Sequence, residues 1–285
     1  MIKIPLLSVF AVLLSMMTSA AFADKHTLSS KAFKTVDRTI IADKVENKFQ
    51  DNELKIFTGD KLMWVRSGGP LALEGTADNF LSDNEFLYGF GSTQFDSEKG
   101  TYSEIYTENL KSKFQSPRSV EMNMIPTEIG FLQEFSTIRG DGVELDYSIS
   151  WVSVTGEQTK FDGLWRLISC EISEIGFLKN LFTSRKNGPN NDPDEQQFDE
   201  VKMIGGGHFI FVQSSGTGEE QTSNFGYGEF VVDDGTTVHE IAKEGTRPNF
   251  SGRTIELDMQ IDSGGNLIQS FVYDDNDVVL VYSRI

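Results

Sequence analysis

The chain resembles itself over more than a hundred residues, and this limits its folding more than any other feature. Shifted by about 135 positions, Phe90-Gly91 falls on Phe225-Gly226, Phe95 on Phe230, Gly100-Thr101 on Gly235-Thr236, and Ser116 and Arg118 on Ser251 and Arg253. Further along, Glu121 meets Glu256, Met124 meets Met259, Gly130 meets Gly265, Leu132 meets Leu267, Leu145 meets Leu280, and Tyr147-Ser148 meets Tyr282-Ser283. Nearer the start the shift is about 147, and Glu53, Lys55, Gly59, Val65, Ser67 and Gly69 meet Glu200, Lys202, Gly206, Val212, Ser214 and Gly216. A solenoid unit runs to roughly 20–50 residues, so this period is that of a whole small domain. Two domains, each with its own core, are expected.

Within each copy the hydrophobic period is two. Val143, Leu145, Tyr147, Ile149 and Trp151 share one strand face, with Glu144, Asp146, Ser148 and Ser150 on the other. Val278, Leu280, Tyr282 and Arg284 repeat that face, and Ile255, Leu257, Met259 and Ile261 alternate with Thr254, Glu256, Asp258 and Gln260. Asp233-Asp234-Gly235, Asp262-Ser263-Gly264-Gly265-Asn266 and Asp274-Asp275-Asn276-Asp277 punctuate these runs as turns, the last matching Arg139-Gly140-Asp141-Gly142. Consecutive hairpins make an up-and-down meander. About eight strands in roughly 125 residues must hide two edges, and closing into a barrel hides both, with a sandwich as the runner-up. Helix is expected at most in a short stretch from Glu171 to Phe182.

The second copy resembles the lipocalin-like (calycin) families, including small bacterial domains of unknown function. The residues that carry the resemblance are Gly163-Leu164-Trp165-Arg166-Leu167 as a G-x-W opening strand, Gly207-His208-Phe209-Ile210-Phe211 on a following strand, and Val281-Tyr282-Ser283-Arg284 on the last. The resemblance implies that Trp165 plugs one barrel end and that Arg284 packs across it, a structural cation–π contact of about 0.5–2 kcal/mol. The fold class expected is therefore all-β: two tandem antiparallel up-and-down lipocalin-like barrels, the first lacking the G-x-W opening strand. Residues 24–52 either supply a substitute strand or leave the first barrel partly open. The expected division is a signal peptide at 1–23, an N-terminal segment at 24–52, a first barrel at 53–152, a linker at 153–160 and a second barrel at 161–285.

Lys3, an apolar run from Ile4 to Leu14 and the small residues ending Ala21-Phe22-Ala23 read as that signal peptide, so the mature protein is expected in the periplasm or secreted. No stretch offers the roughly 18 uninterrupted apolar residues of a membrane-spanning helix. Loss of Lys3 moves the formal charge from −18 to about −19, which argues against nucleic acid and anionic membranes as partners. The carboxylates are spread along the chain, as on a well-solvated acidic surface.

Little points to catalysis, and no enzyme activity, cofactor or metal is expected. Cys170, the single cysteine, lies in the apolar run Leu167–Ile172 and reads as a buried, inert thiol. His26, His208 and His239 have no zinc-ligand spacing, and no nucleophile elbow, Walker loop or dinucleotide fingerprint is present. Asn190, Asp192 and Asp194 lack the glycine and terminal Glu of a calcium loop, and the Arg139-Gly140-Asp141 tripeptide falls where a turn is needed. The leading functional expectation is a binding module that holds a small, largely apolar molecule in the second barrel. Its wall would be Phe209, Phe211, Tyr227, Leu257, Met259, Phe271 and Tyr282, with the loop from Thr183 to Gln197 over the mouth. The same aromatics equally suit a filled core. In that case the chain is a structural or protein-interaction module, with its protein partner left open.

Overall fold

The computed structural model describes residues 30–49, 52–67, 86–96, 101–109, 118–138, 142–172, 198–215, 222–247, 249–273 and 276–285. Contacts divide the chain into two units, Met1–Val154 and Thr155–Ile285. The expected signal peptide, the Arg139-Gly140-Asp141 turn, the Thr183–Gln197 loop, His26 and the Asn190–Asp194 group lie outside the described residues, as does all of the Glu171–Phe182 stretch beyond Ile172.

Unit one holds β1 (Lys31–Ala42), β2 (Val45–Phe49), β3 (Asn52–Thr58), β4 (Lys61–Ser67), β5 (Phe86–Asp96), β6 (Thr101–Asn109), β7 (Arg118–Pro126), β8 (Gly130–Ile138) and β9 (Glu144–Ser153). Unit two holds β10 (Gly163–Ile172), β11 (Phe198–Gly205), β12 (His208–Ser215), β13 (Thr222–Val232), β14 (Thr237–Gly245), β15 (Thr254–Ile261), β16 (Leu267–Tyr273) and β17 (Asn276–Arg284). Every pairing is antiparallel, and β10 to β17 form a closed barrel in chain order. In unit one β1 pairs with both β3 and β9, so that β1 and β3 to β9 also close into eight strands, with β2 left as a hairpin on the far half of β1. Both barrels have the up-and-down architecture that abolishes sheet edges.

The strand that closes the first barrel is therefore the N-terminal segment, and the barrel begins near Lys31 rather than at residue 53. In that register it shares only Ile40 with Ile172 of β10, yet it is placed identically. Phe33 stands opposite Lys55 on one side and Ser153 on the other, as Trp165 stands opposite Lys202 and Arg284. Both opening strands carry a bulge two residues later, at Thr35/Asp37 and Leu167/Ser169. A second bulge also recurs, at Phe90/Gly91 and Tyr227/Gly228. Taken strand by strand around each circle, the pairings of the two barrels match without residual shift.

That register refines the sequence match on several strands, and on β8 it is Phe131 rather than Leu132 that corresponds to Leu267. Gly91 corresponds to Gly228 and Gly89 to Gly226, so Phe90-Gly91 lies two residues from where identity with Phe225-Gly226 puts it. On the last strand, Trp151 corresponds to Tyr282 and Ser153 to Arg284, because Phe131 faces Trp151 as Leu267 faces Tyr282. The glycines serve packing: a Cβ on Gly91 would lie 2.0 Å from Ile105 O, and one on Gly228 2.1 Å from Ile241 O. Hairpin turns follow from local chemistry. Gly206-Gly207, both at positive φ, connect β11 to β12 in the two-residue form that suits strand twist. Asp262 caps its turn by accepting from Gly264 N and Asn266 N, each at 2.8 Å.

Among the described residues each barrel has an apolar core on its inner wall. In the first it joins Phe33, Phe57, Leu62, Tyr102, Met122, Phe131, Ile149 and Trp151. In the second it includes Trp165, Phe209, Phe230, Leu257, Met259, Leu267, Leu280 and Tyr282.

Candidate functional site

The inner walls also carry charge. In the second barrel, Lys202 on β11 points inward with Ile204 and Glu200, because it pairs with Trp165 and Phe211 on its two neighbours. Its Nζ lies 2.5 Å from Glu240 Oε1 on β14 and donates to Gln269 Oε1 on β16 at 2.9 Å. The ammonium also stands 5.6 Å from the centre of the Phe209 ring. Lys202 is 2% exposed and Glu240 4%, so this pair forgoes nearly all hydration. Burial holds the Glu240 carboxyl above the usual range, and Lys202 offsets this only in part.

The first barrel builds the same arrangement at the matched positions. Lys55 on β3 donates to Glu104 Oε1 and Oε2 on β6, at 2.9 and 3.2 Å, and to Gln133 Oε1 on β8 at 3.3 Å. Trp151 Nε1 donates to the same Gln133 oxygen at 2.9 Å, and Lys55 Nζ lies 4.7 Å from the Trp151 ring centre. Tyr106 donates its hydroxyl hydrogen bond to Glu104. Burial and the Glu104 charge push the Tyr106 phenol well above its ordinary value, so it remains a neutral donor. An ionised pair in a barrel interior costs desolvation that Coulomb attraction offsets only with good geometry and added hydrogen bonds. Both barrels supply those bonds with a glutamine.

Toward the end of the second barrel reached by the β14–β15 loop lies a further network. Tyr282 Oη donates to Glu200 Oε1 at 2.6 Å, Gln213 Nε2 donates to Glu200 Oε2, and Arg247 donates to Gln213 Oε1. The Arg247 guanidinium stands 5.7 Å from the Phe211 ring, which packs edge-on against Phe250 at 5.5 Å. Cys170 is on the same wall, opposite Leu280, and burial first, then Glu200, pushes its thiol up to about 12. Such a thiol is a poor nucleophile.

At the other end, Trp165 is fully buried, donates from Nε1 to Phe161 O at 2.9 Å and carries the Arg284 guanidinium 4.4 Å from its ring centre. Of the seven wall residues read from the sequence, Phe209, Phe211, Leu257, Met259 and Tyr282 belong to the inner core and Phe271 packs against it. Tyr227 does not join them. It pairs with Ile210 while Gly226 and Gly228 take the inward positions beside Phe211 and Phe209, so its ring lies on the outer face and its hydroxyl bonds Glu244 Oε2 at 2.7 Å. Alternation alone suggests Tyr227 for the wall, but the register gives the inward positions to its two flanking glycines. His208 sits at the β11–β12 turn with Nδ1 2.9 Å from Gly206 O.

No family model matches this chain, and no curated protein matches it. Among solved structures, a protein of unknown function from the DUF3598 family of Nostoc punctiforme PCC 73102 is similar at 10% identity, covering 92% of this chain and 98% of that one, with a TM-score of 0.25. That likeness assigns no function.

The residues that sequence reading missed are the buried polar ones: Lys202, Glu240, Gln269, Glu200 and Gln213. Their signal was present in the match of Glu53-x-Lys55 with Glu200-x-Lys202, two charges kept at one spacing in both copies. Outside the barrels' interiors, a groove of about 390 Å³ runs over the outer wall of the first barrel, where Glu121, Glu134 and Asp146 face it beside Thr39, Ser136 and Ser148. Among the described residues no group of His, Cys, Asp and Glu is arranged to hold a metal ion.

Proposed function

We propose that the protein is an exported, non-enzymatic binding protein whose second barrel takes one small, largely apolar molecule and whose first barrel is a scaffold. The observation that supports this is the matched inner wall toward the Glu200 end. Where the first barrel has Arg38, Trp64, Arg66, Tyr106 and Trp151, the second has Cys170, Phe211, Gln213, Ala242 and Tyr282, every one smaller. At the opposite end Trp165 and Phe209 stand in place of the smaller Phe33 and Leu62, while Ile204, Val238 and Leu267 stand in place of the larger Phe57, Tyr102 and Phe131. Toward Glu200 the second barrel thus carries the smaller side chains on its strands, with Phe250 and Arg247 of the β14–β15 loop set against Phe211 there. Phe211, Phe250, Phe271 and Leu280 supply apolar surface there. Export rests on the Lys3-to-Ala23 segment.

Native mass spectrometry of the protein purified from its own host tests the reading. A retained small molecule at one per chain is the expected result; a stoichiometric protein partner with no small molecule overturns it. The alternative, a protein-interaction module with two filled barrels, is favoured by the close packing of Phe209, Phe211 and Phe250 on one another, and that second outcome is the one it predicts.

A further inference from the structure

The two barrels treat one buried carboxylate differently. In the first, Glu53 pairs with the Arg38 guanidinium, both groups buried within the wall. Arg38 faces Ile149 three residues after the Thr35/Asp37 bulge begins, and Cys170 faces Leu280 at the same place after the Leu167/Ser169 bulge. The strand that carries Glu53 pairs with Arg66, and the strand that carries Glu200 pairs with Gln213. The second barrel therefore keeps the acid and replaces both neighbouring guanidinium groups with uncharged side chains. Glu200 is 4% exposed, and among the described residues its carboxylate takes the Tyr282 and Gln213 hydrogen bonds and no ion pair. Arg247 bonds the Gln213 oxygen, which turns the amide N–H toward Glu200.

On matched inner strand positions Arg38, Lys55 and Arg66 face Glu53 and Glu104 in the first barrel, whereas the strands of the second offer Glu200 and Glu240 only Lys202, and the Arg247 guanidinium of the β14–β15 loop reaches Glu200 through Gln213 rather than directly. A carboxylate has about four acceptor sites, and two neutral donors leave room for a cation to bond it directly. Buried carboxylates are kept when they are paired. From this we infer that the second barrel recognises an organic cation, a primary ammonium or amidinium group on an apolar body, with Glu200 taking the place in the ligand complex that Glu53 takes on Arg38. The inference rests on the binding reading above and adds the charge of the ligand's head group.

The test uses the full chain and matched probes, n-octylammonium and 1-octanol, titrated calorimetrically at about 0.15 M salt, where surface charge is largely screened. Octylammonium is expected to bind at one per chain and about tenfold or more tighter than octanol. Glu200→Gln should remove that preference. Cys170→Arg, which restores the internal guanidinium, should abolish octylammonium binding. Equal affinity of the two probes for the wild-type chain overturns the cationic inference and leaves the apolar reading standing. Binding of neither probe overturns both. A preference that persists in Glu200→Gln puts the site elsewhere and overturns the assignment.

Discussion

The Arg284 guanidinium lies 4.4 Å from the centre of the Trp165 ring, while that ring's N–H is held by Phe161 O at 2.9 Å, so the indole is fixed at its edge and covered on its face. Gly163 makes room for this pair: a Cβ there would meet the guanidinium and the indole at 3.1 Å. Arg284→Ala should destabilise the second barrel by about 1–2 kcal/mol and Trp165→Ala by about 3–5 kcal/mol. Urea unfolding checks this. Of the three tryptophans, Trp64 and Trp151 belong to the first barrel, so their emission reports it while Trp165 reports the second. An Arg284→Ala effect that appears only in the Trp64 and Trp151 transition contradicts the assignment.

The buried pair Lys202–Glu240 gives a sharper expectation. Lys202→Met leaves an uncompensated carboxylate in the wall and should cost about 3–5 kcal/mol. Lys202→Met combined with Glu240→Leu removes both charges and should return stability to the wild-type level or raise it by about 1–4 kcal/mol. Chemical denaturation of the two variants decides it: a double variant as unstable as the single one means that the pair itself, rather than its desolvation, dominates.

Glu240 also predicts a pH dependence. Burial raises its folded pKa above the unfolded value, so the folded state binds the proton more tightly than the unfolded chain. The stability this gives is fully present below the ordinary glutamate pKa of about 4.3 and is lost as pH rises through the higher folded value. Subtracting the pH–stability curve of Glu240→Gln from that of wild type should show this fall. A difference curve that rises over the same window contradicts the direction.

The Cys170 thiol, pushed up to about 12, should label slowly. At pH 8 its thiolate fraction is lower than that of an ordinary cysteine of pKa about 8.5 by roughly a thousandfold. Iodoacetamide labelling followed by mass spectrometry should show native protein almost unmodified after a time that fully labels the chain in urea. Fast native labelling means that the thiol is not held in the wall.

Gly91 and Gly228 sit at matched bulges, and the close approach of the neighbouring carbonyl leaves no space for a side chain. Alanine at either should cost about 3 kcal/mol or more. Gly264→Ala, whose added Cβ would meet only the side chains of Asn266 and Asp262 at 3.2 Å, should cost far less. Thermal unfolding of the three variants compares them.

What the sequence made legible was what period two and turn chemistry govern. The strand faces of β9, β15 and β17, the turn at Asp262 and the closure of two meanders are all of this kind. The first opening strand was not legible, because Phe33 replaces Trp165 and Ser153 replaces Arg284, which leaves only register to show the equivalence. The interior charges were hidden for another reason. In Glu200-Val201-Lys202-Met203 a pattern rule sends the charges outward, whereas pairing with Trp165 and Phe211 turns Lys202 in and Val201 and Met203 out. Tyr227 was misplaced by the same inversion, its two glycines taking the inner wall.

Binding is proposed at the end of the second barrel marked by Cys170, Glu200 and Gln213. Amide resonance shifts of the isotope-labelled full chain titrated with n-octylammonium test it most directly. Saturable shifts are expected, concentrated in β10 near Cys170, β11 near Glu200, β12 near Gln213 and the loop that carries Arg247. Shifts centred on residues 31–153, or spread without saturation over exposed carboxylates, would contradict it.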